Sequence, residues 1–341
     1  MIIMKILFFI ILLILLILFF LEAGMLFLLR FPAVLRKCSR KLQNSIGHLY
    51  VYGERKIIQF LEGCGQYHPE LGYTFKPGEF IFAEREYSNE YNINSLGVRD
   101  SEESLNQPEI VIAGDSFALG WGVDQNDTFA KILEKKAGLK TLNTAVPSYG
   151  SVREMIMLRR VDRSQLKCLI IQYCGDDYDE NLRYYLNGNR PQIMRAETFQ
   201  KLMEKQSVPQ KYFPGKNLLL KIKKKIEESK PKPSGVEVKT DLTDVDLFLN
   251  VLQQNEDMLA HLPIIVFEIN GKNQTNSFST LLKQKAADNE NPPYIQNMIV
   301  LDLSNYLGDN HFYVLDDHLN PGGHIVVADL IYKTMKEAKI I

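Results

Sequence analysis

Four short apolar runs constrain this chain more than any other feature: residues 109–113 (EIVIA), 167–173 (KCLIIQY), 263–269 (PIIVFEI) and 298–303 (MIVLDL); residues 140–143 read as a further short strand. Runs this short and this apolar suit strands buried on both faces. Helical periodicity follows or separates them at 128–136, 152–161, 245–262 and 322–338, the last opened by Asn320 and Pro321. Strands alternating with helices predict a parallel sheet covered on both sides. No internal repeat is present.

A second feature lies outside this pattern. From Ile6 to Leu21 the chain is unbroken Leu, Ile and Phe; Glu22 interrupts it, and residues 23–29 extend it to Arg30. A bilayer core of about 30 Å needs about 20 helical residues, and this segment fits. It exceeds the apolar core of a signal peptide, and no small-x-small cleavage site follows. The run therefore reads as an uncleaved membrane anchor through residues 6–29, with a cleaved signal as the alternative. Arg30, Arg36, Lys37, Arg40 and Lys41 follow it, which argues for a cytoplasmic domain; long translocated domains override that rule.

The formal net charge of −1 excludes the basic excess of a nucleic-acid-coating protein. It hides segregation. Residues 201–239 hold 11 Lys against 4 Glu, so the remainder is acidic. That stretch lies in a region broken by Pro191, Pro209, Pro214, Pro231 and Pro233, with a Lys-rich helix expected over 218–229. It reads as a partly mobile insertion; its lysines suit either a solvated face or contact with anionic lipid or glycan. Cys38, Cys64, Cys168 and Cys174 show no CxxC spacing and no dense disulfide framework, and Cys168 and Cys174, which flank a buried strand, read as free thiols rather than zinc ligands.

Four segments follow the strands. Gly114-Asp115-Ser116 follows the first, where the mouth of an open α/β sheet exposes a serine. Alone it is an ordinary helix cap. Asp316-Asp317-His318 precedes the last helix, and a serine nucleophile needs an imidazole base held in one tautomer by an acceptor. The stretch 143–150 (NTAVPSYG) follows the second strand and 174–177 (CGDD) the third. At such ends N–H groups can surround a developing oxyanion.

Together these blocks resemble the SGNH hydrolase superfamily, also called GDSL-type esterases, over roughly residues 105–335. GDSFALGWGVDQNDTFAKIL is similar to its first block, NTAVPSYG to its second, CGDD to its third and DDHLNPGGH to its last. Upstream, 67–73 (YHPELGY) and 94–100 (NSLGVRD) resemble membrane-anchored bacterial members.

The resemblance implies a flavodoxin-like three-layer α/β/α sandwich with a mostly parallel five-stranded sheet, preceded by a transmembrane helix. The anchor would span 1–30, a juxtamembrane extension 31–105 and the hydrolase-type domain 106–341, with the insertion at about 185–241. It implies Ser116 as nucleophile, His318 as base and Asp316 as its partner, with His324 and Asp317 the weaker candidates. The oxyanion hole would use Ser116, Ser148 and Asp176. It implies no cofactor, no metal and an extracytoplasmic domain; the membrane anchor suggests an ester-bearing glycan or lipid as substrate.

Two departures stand out. Ser148 occupies a family glycine position, which preserves the backbone donor at little expected cost. Asp176 occupies a family asparagine position, exchanging an amide donor for a group that only accepts when ionised. The rival readings are an O-acyltransferase of envelope glycans, a non-catalytic binding protein, and a metal-dependent phosphoesterase using Asp115, Asp176, Asp177, Asp316 and His318.

Overall fold

The computed structural model describes residues 2–208, 211–229, 241–272 and 274–341. They form two compact units. The first comprises residues 1–56, 208–240 and 314–316. Its main element is the 29-residue helix Ile2–Arg30, long and apolar enough to cross a membrane. Met25 and Leu29 of this helix pack with Leu35, with Ile46, Leu49 and Tyr50 of the helix Arg40–Gly53, and with Val314 and Leu315 in a small core.

The second unit comprises residues 57–207, 241–313 and 317–341. It opens with two antiparallel hairpins, β1 (Gly65–His68) with β2 (Gly72–Phe75) and β3 (Gly78–Ala83) with β4 (Ser88–Ile93). Its centre is a five-stranded sheet: β5 (Ile110–Ala113), β6 (Thr141–Asn143), β7 (Cys168–Tyr173), β8 (Ile264–Glu268) and β9 (Ile299–Leu301). The spatial order is β6-β5-β7-β8-β9 with every pair parallel. This is the 2-1-3-4-5 order of flavodoxin-like sheets.

Every residue of β5, β6, β7 and β8 is buried, as expected for strands covered on both faces. The covering helices form two groups. Phe129–Ala137 packs with Pro321–Glu337; Asp244–Gln253 packs with Asp177–Leu186 and Ser277–Ala286, and Ser151–Leu158 joins that group. The result is an α/β/α sandwich. Register aligns Ile112 with Asn143, Ala113 with Ile171 and Tyr173 with Glu268, so β5 to β8 all end at one edge.

Some elements differ from the sequence reading. The stretch 245–262 is two helices, Asp244–Gln253 and Glu256–Leu259. The break falls at Asn255, whose amide donates to the Val251 carbonyl at 2.8 Å and whose oxygen accepts from Arg159 at 3.0 Å. Such local side-chain bonds compete with helix continuation. Among the described residues the insertion contains the helices Ala196–Ser207 and Lys216–Ser229, the first not anticipated. Pro209, Pro231 and Pro233 lie outside the described residues.

Candidate active site

The site starts at the end of β5. Gly114 permits a close approach there: a Cβ on it would meet the Ala118 Cβ at 2.7 Å and the Gln172 Oε1 at 2.8 Å. Gln172 of β7 accepts from the N–H groups of Asp115 and Ala118, both at 3.2 Å, and so clamps the turn from the neighbouring strand. Asp115 caps the helix Ser116–Leu119, accepting from the Phe117 N–H at 2.8 Å. Ser116 is thereby the first helical residue at the carboxyl edge of the sheet.

His318 meets it there. Its Nε2 lies 2.7 Å from the Ser116 Oγ. The imidazole stacks on Trp121 at 4.8 Å and 13° and tilts against Phe117 at 5.0 Å. Trp121 is fixed in turn by its N–H donating to the Tyr87 hydroxyl at 2.6 Å. The His318 carbonyl accepts from the Tyr313 N–H at 3.0 Å, which anchors the loop. The ring is thus held on two sides by aromatic packing.

The two carboxylates before His318 differ sharply. Asp317 has a side chain 59% exposed, and its Oδ1 lies 4.0 Å from His318 Nδ1, beyond hydrogen-bond reach. Asp316 groups with the first unit, is fully buried and pairs with Arg55 at 3.4 Å. His324 sits inside the helix Pro321–Glu337 and accepts from the Phe129 N–H at 3.1 Å. Burial pushes it down to about 3, so it stays neutral and structural.

Ser148 lies in the loop after β6 with φ +60°. Such left-handed backbone costs a non-glycine residue about 1–2 kcal/mol. This conformational cost is separate from the backbone N–H, which serine keeps. Local bonds hold the conformation: Gln59 Nε2 donates to the Ser148 Oγ at 3.3 Å, and Arg153 donates to the Ser148 carbonyl. Arg153 is itself held by Glu180 at 2.7 Å. Among the described residues the N–H groups of Ser116 and Ser148 donate to no protein acceptor.

Asp176 is exposed and precedes the helix Asp177–Leu186. Beside it, the Gly175 N–H donates to Asn270 Oδ1 at 2.7 Å. Asn270 was not singled out from the sequence. Its one signal is its position just beyond the fourth strand, at the edge where ligands bind. Asp177 is buried and accepts from the Ser151 hydroxyl at 3.0 Å. Asp115, Asp176 and Asp177 thus have separate local surroundings: a helix cap, an exposed position and a buried serine contact.

Burial shapes the charge state of this edge. It pushes Asp115 up to about 6. Burial holds Glu154 and Asp177 well above the usual carboxylate range, reinforced at Glu154 by the charge of Asp115 and at Asp177 by the charges of Glu154 and Asp115. Glu268 is pushed up to about 7 by burial, while its bond from Asn270 at 2.5 Å opposes the shift. Between about pH 4.5 and 7 the folded form keeps a proton on Glu268 that the unfolded chain releases, so stability falls as pH rises. Glu268→Gln keeps the acceptor and removes the charge. It is expected to match wild type near pH 4 and exceed it near pH 8 by on the order of 2 kcal/mol, allowing for partial exposure. Urea unfolding at both pH values measures this.

The fold is α/β, and it brings a serine hydroxyl and an imidazole into contact at the carboxyl edge of its sheet. No family model matches the chain, and no curated protein matches it. Among solved structures it is similar to TesA, at 12% identity over 68% of this chain and 99% of that one, with a TM-score of 0.37. It is similar to a carbohydrate esterase at 12% identity over 67% of this chain and 68% of that one, with a TM-score of 0.36. A GDSL-like lipase from Bacteroides thetaiotaomicron VPI-5482 is similar at 12% identity over 70% of this chain and 91% of that one, with a TM-score of 0.28.

Proposed function

We propose that the protein is a serine ester hydrolase of the SGNH type, attached to a membrane through residues 6–29, with its sheet domain outside the cytoplasm. The observation that carries this reading is the 2.7 Å contact between the Ser116 Oγ and His318 Nε2. At that distance the imidazole takes the hydroxyl proton as the oxygen attacks an ester carbonyl. The proton passes to the leaving alkoxide, and an acyl-serine remains. Water, activated by the same imidazole, then releases the acid. A sugar hydroxyl in place of water makes the same site an O-acyltransferase.

The N–H groups of Ser116 and Ser148 receive the oxyanion, and Asp316 fixes the His318 tautomer and stabilises the imidazolium. Glycans or lipids bearing O-acetyl or O-acyl groups are the substrate class, because a membrane anchor places the site near them.

Asp176 handicaps this chemistry. An acceptor standing where the family has an amide donor removes one contact to the oxyanion, and one such donor is worth about 10²–10³ in rate. Asp176→Asn is therefore expected to raise kcat by about that factor. Acetyl release from a panel of acetylated sugars, wild type beside Asp176→Asn, measures it and identifies the preferred ester. If neither protein releases acid from any ester while both bind the sugars, a non-catalytic binding role replaces the hydrolase reading.

A further inference from the structure

The helix Lys216–Ser229 has two apolar faces. Leu218 and Leu220 pack on the small core of the first unit. Leu219, Ile222 and Ile226 do not: they are 55%, 54% and 49% exposed. At 3.6 residues per turn these three fall within an arc of about 60°. Lys221, Lys223, Lys224 and Lys225 share the stretch, and no acidic residue occurs from 216 to 226. Tyr212 and Phe213, just before the helix, are also exposed. A merely solvated helix would place polar residues on that arc.

Glu22 sets the level of this helix. The exposed apolar stretch from Ile2 to Leu21, interrupted only by Lys5, ends at Glu22. Twenty helical residues span about 30 Å, the thickness of a hydrocarbon core. Glu22 is buried, and its Oε1 accepts from the Tyr212 hydroxyl at 3.2 Å, the Asn217 N–H at 3.2 Å and the Asn217 amide at 3.1 Å. Its Oε2 accepts from the Leu218 N–H at 3.1 Å. The carboxylate therefore satisfies the open N–H groups of the Lys-rich helix, where a negative charge also complements the helix dipole. This ties the start of that helix to the depth at which the apolar segment ends. A tyrosine at that depth matches the aromatic belt of membrane proteins.

We propose that the helix Lys216–Ser229 lies in the headgroup layer of an anionic membrane. Leu219, Ile222 and Ile226 enter the acyl boundary, and the lysines contact lipid phosphates. The occupant of this face is a lipid surface, because the face is continuous with the apolar stretch through Glu22 and its charge complements anionic headgroups. The inference rests on the reading of Ile2–Arg30 as a membrane anchor, and its test separates the two.

The full chain, carrying Cys38→Ser and a nitroxide at either Leu13→Cys or Ile222→Cys, is reconstituted in phosphatidylcholine vesicles with and without phosphatidylglycerol. Accessibility to oxygen and to a water-soluble nickel complex reports depth. The expected result is a label at 13 deep in the bilayer and a label at 222 at the acyl boundary, several-fold more accessible to oxygen relative to nickel than in detergent-free water. Lys221→Glu with Lys225→Glu is expected to lower that ratio at 222 several-fold in the phosphatidylglycerol vesicles. A label at 13 in the bilayer with a label at 222 in water overturns this inference and leaves the anchor standing. A label at 13 in water overturns both. A charge-reversed variant whose label at 222 keeps its depth in anionic vesicles overturns the headgroup contact.

Discussion

Ser116→Ala is expected to lower kcat on p-nitrophenyl acetate by about four to six orders of magnitude, because the variant has no atom that can form the acyl-enzyme. In transition-state terms this is about 5–8 kcal/mol. The fold should survive. The Ser116 side chain contributes no cap to its helix; Asp115 does that, and Gln172 clamps the turn through backbone N–H groups. Unchanged thermal unfolding beside lost activity separates a chemical role from a structural one. A fluorophosphonate probe is expected to label wild type and leave the variant unlabelled. Full activity in Ser116→Ala would sink the proposed mechanism.

Asp316→Asn is expected to cost about 10⁴ in kcat, because an amide in place of the acceptor favours the wrong imidazole tautomer. The contrast with Asp317 makes this informative. Asp317 is largely exposed and stands 4.0 Å from His318 Nδ1, so Asp317→Asn should stay within a few-fold of wild type. Asp316 is fully buried beside Arg55, which compensates its charge. Since the isosteric amide keeps the volume, circular dichroism should show an intact fold. The opposite ranking of the two variants would assign the role to Asp317.

Much of the sheet was legible because a strand buried on both faces leaves a plain apolar run. The runs at 109–113 and 167–173 correspond to β5 and β7, with ends shifted by a residue. The hairpins β1–β4 left no such run. In β4 buried and non-buried residues alternate, and polar Asn89 is among the buried ones. The helix Ala196–Ser207 was hidden for a similar reason: Phe199 is its one fully packed apolar anchor.

The sequence by itself determined which residues arrive at the carboxyl edge of the sheet, because strand order along the chain and the two-residue side-chain period dictate where Gly114-Asp115-Ser116 and the loops after β6 and β7 fall. It also determined the apolar N-terminal helix, since length and composition suffice for that. Only the tertiary structure decided what those residues meet there. It brought the Ser116 Oγ within 2.7 Å of His318 Nε2 across 202 residues of chain, and pinned the imidazole on Trp121. It placed Ser148 at φ +60° and sat Asn270 beside Gly175. It also turned Glu22, a single break in an apolar run, into the cap of a helix 195 residues away. These depend on distances between segments remote in the chain, which no local pattern encodes.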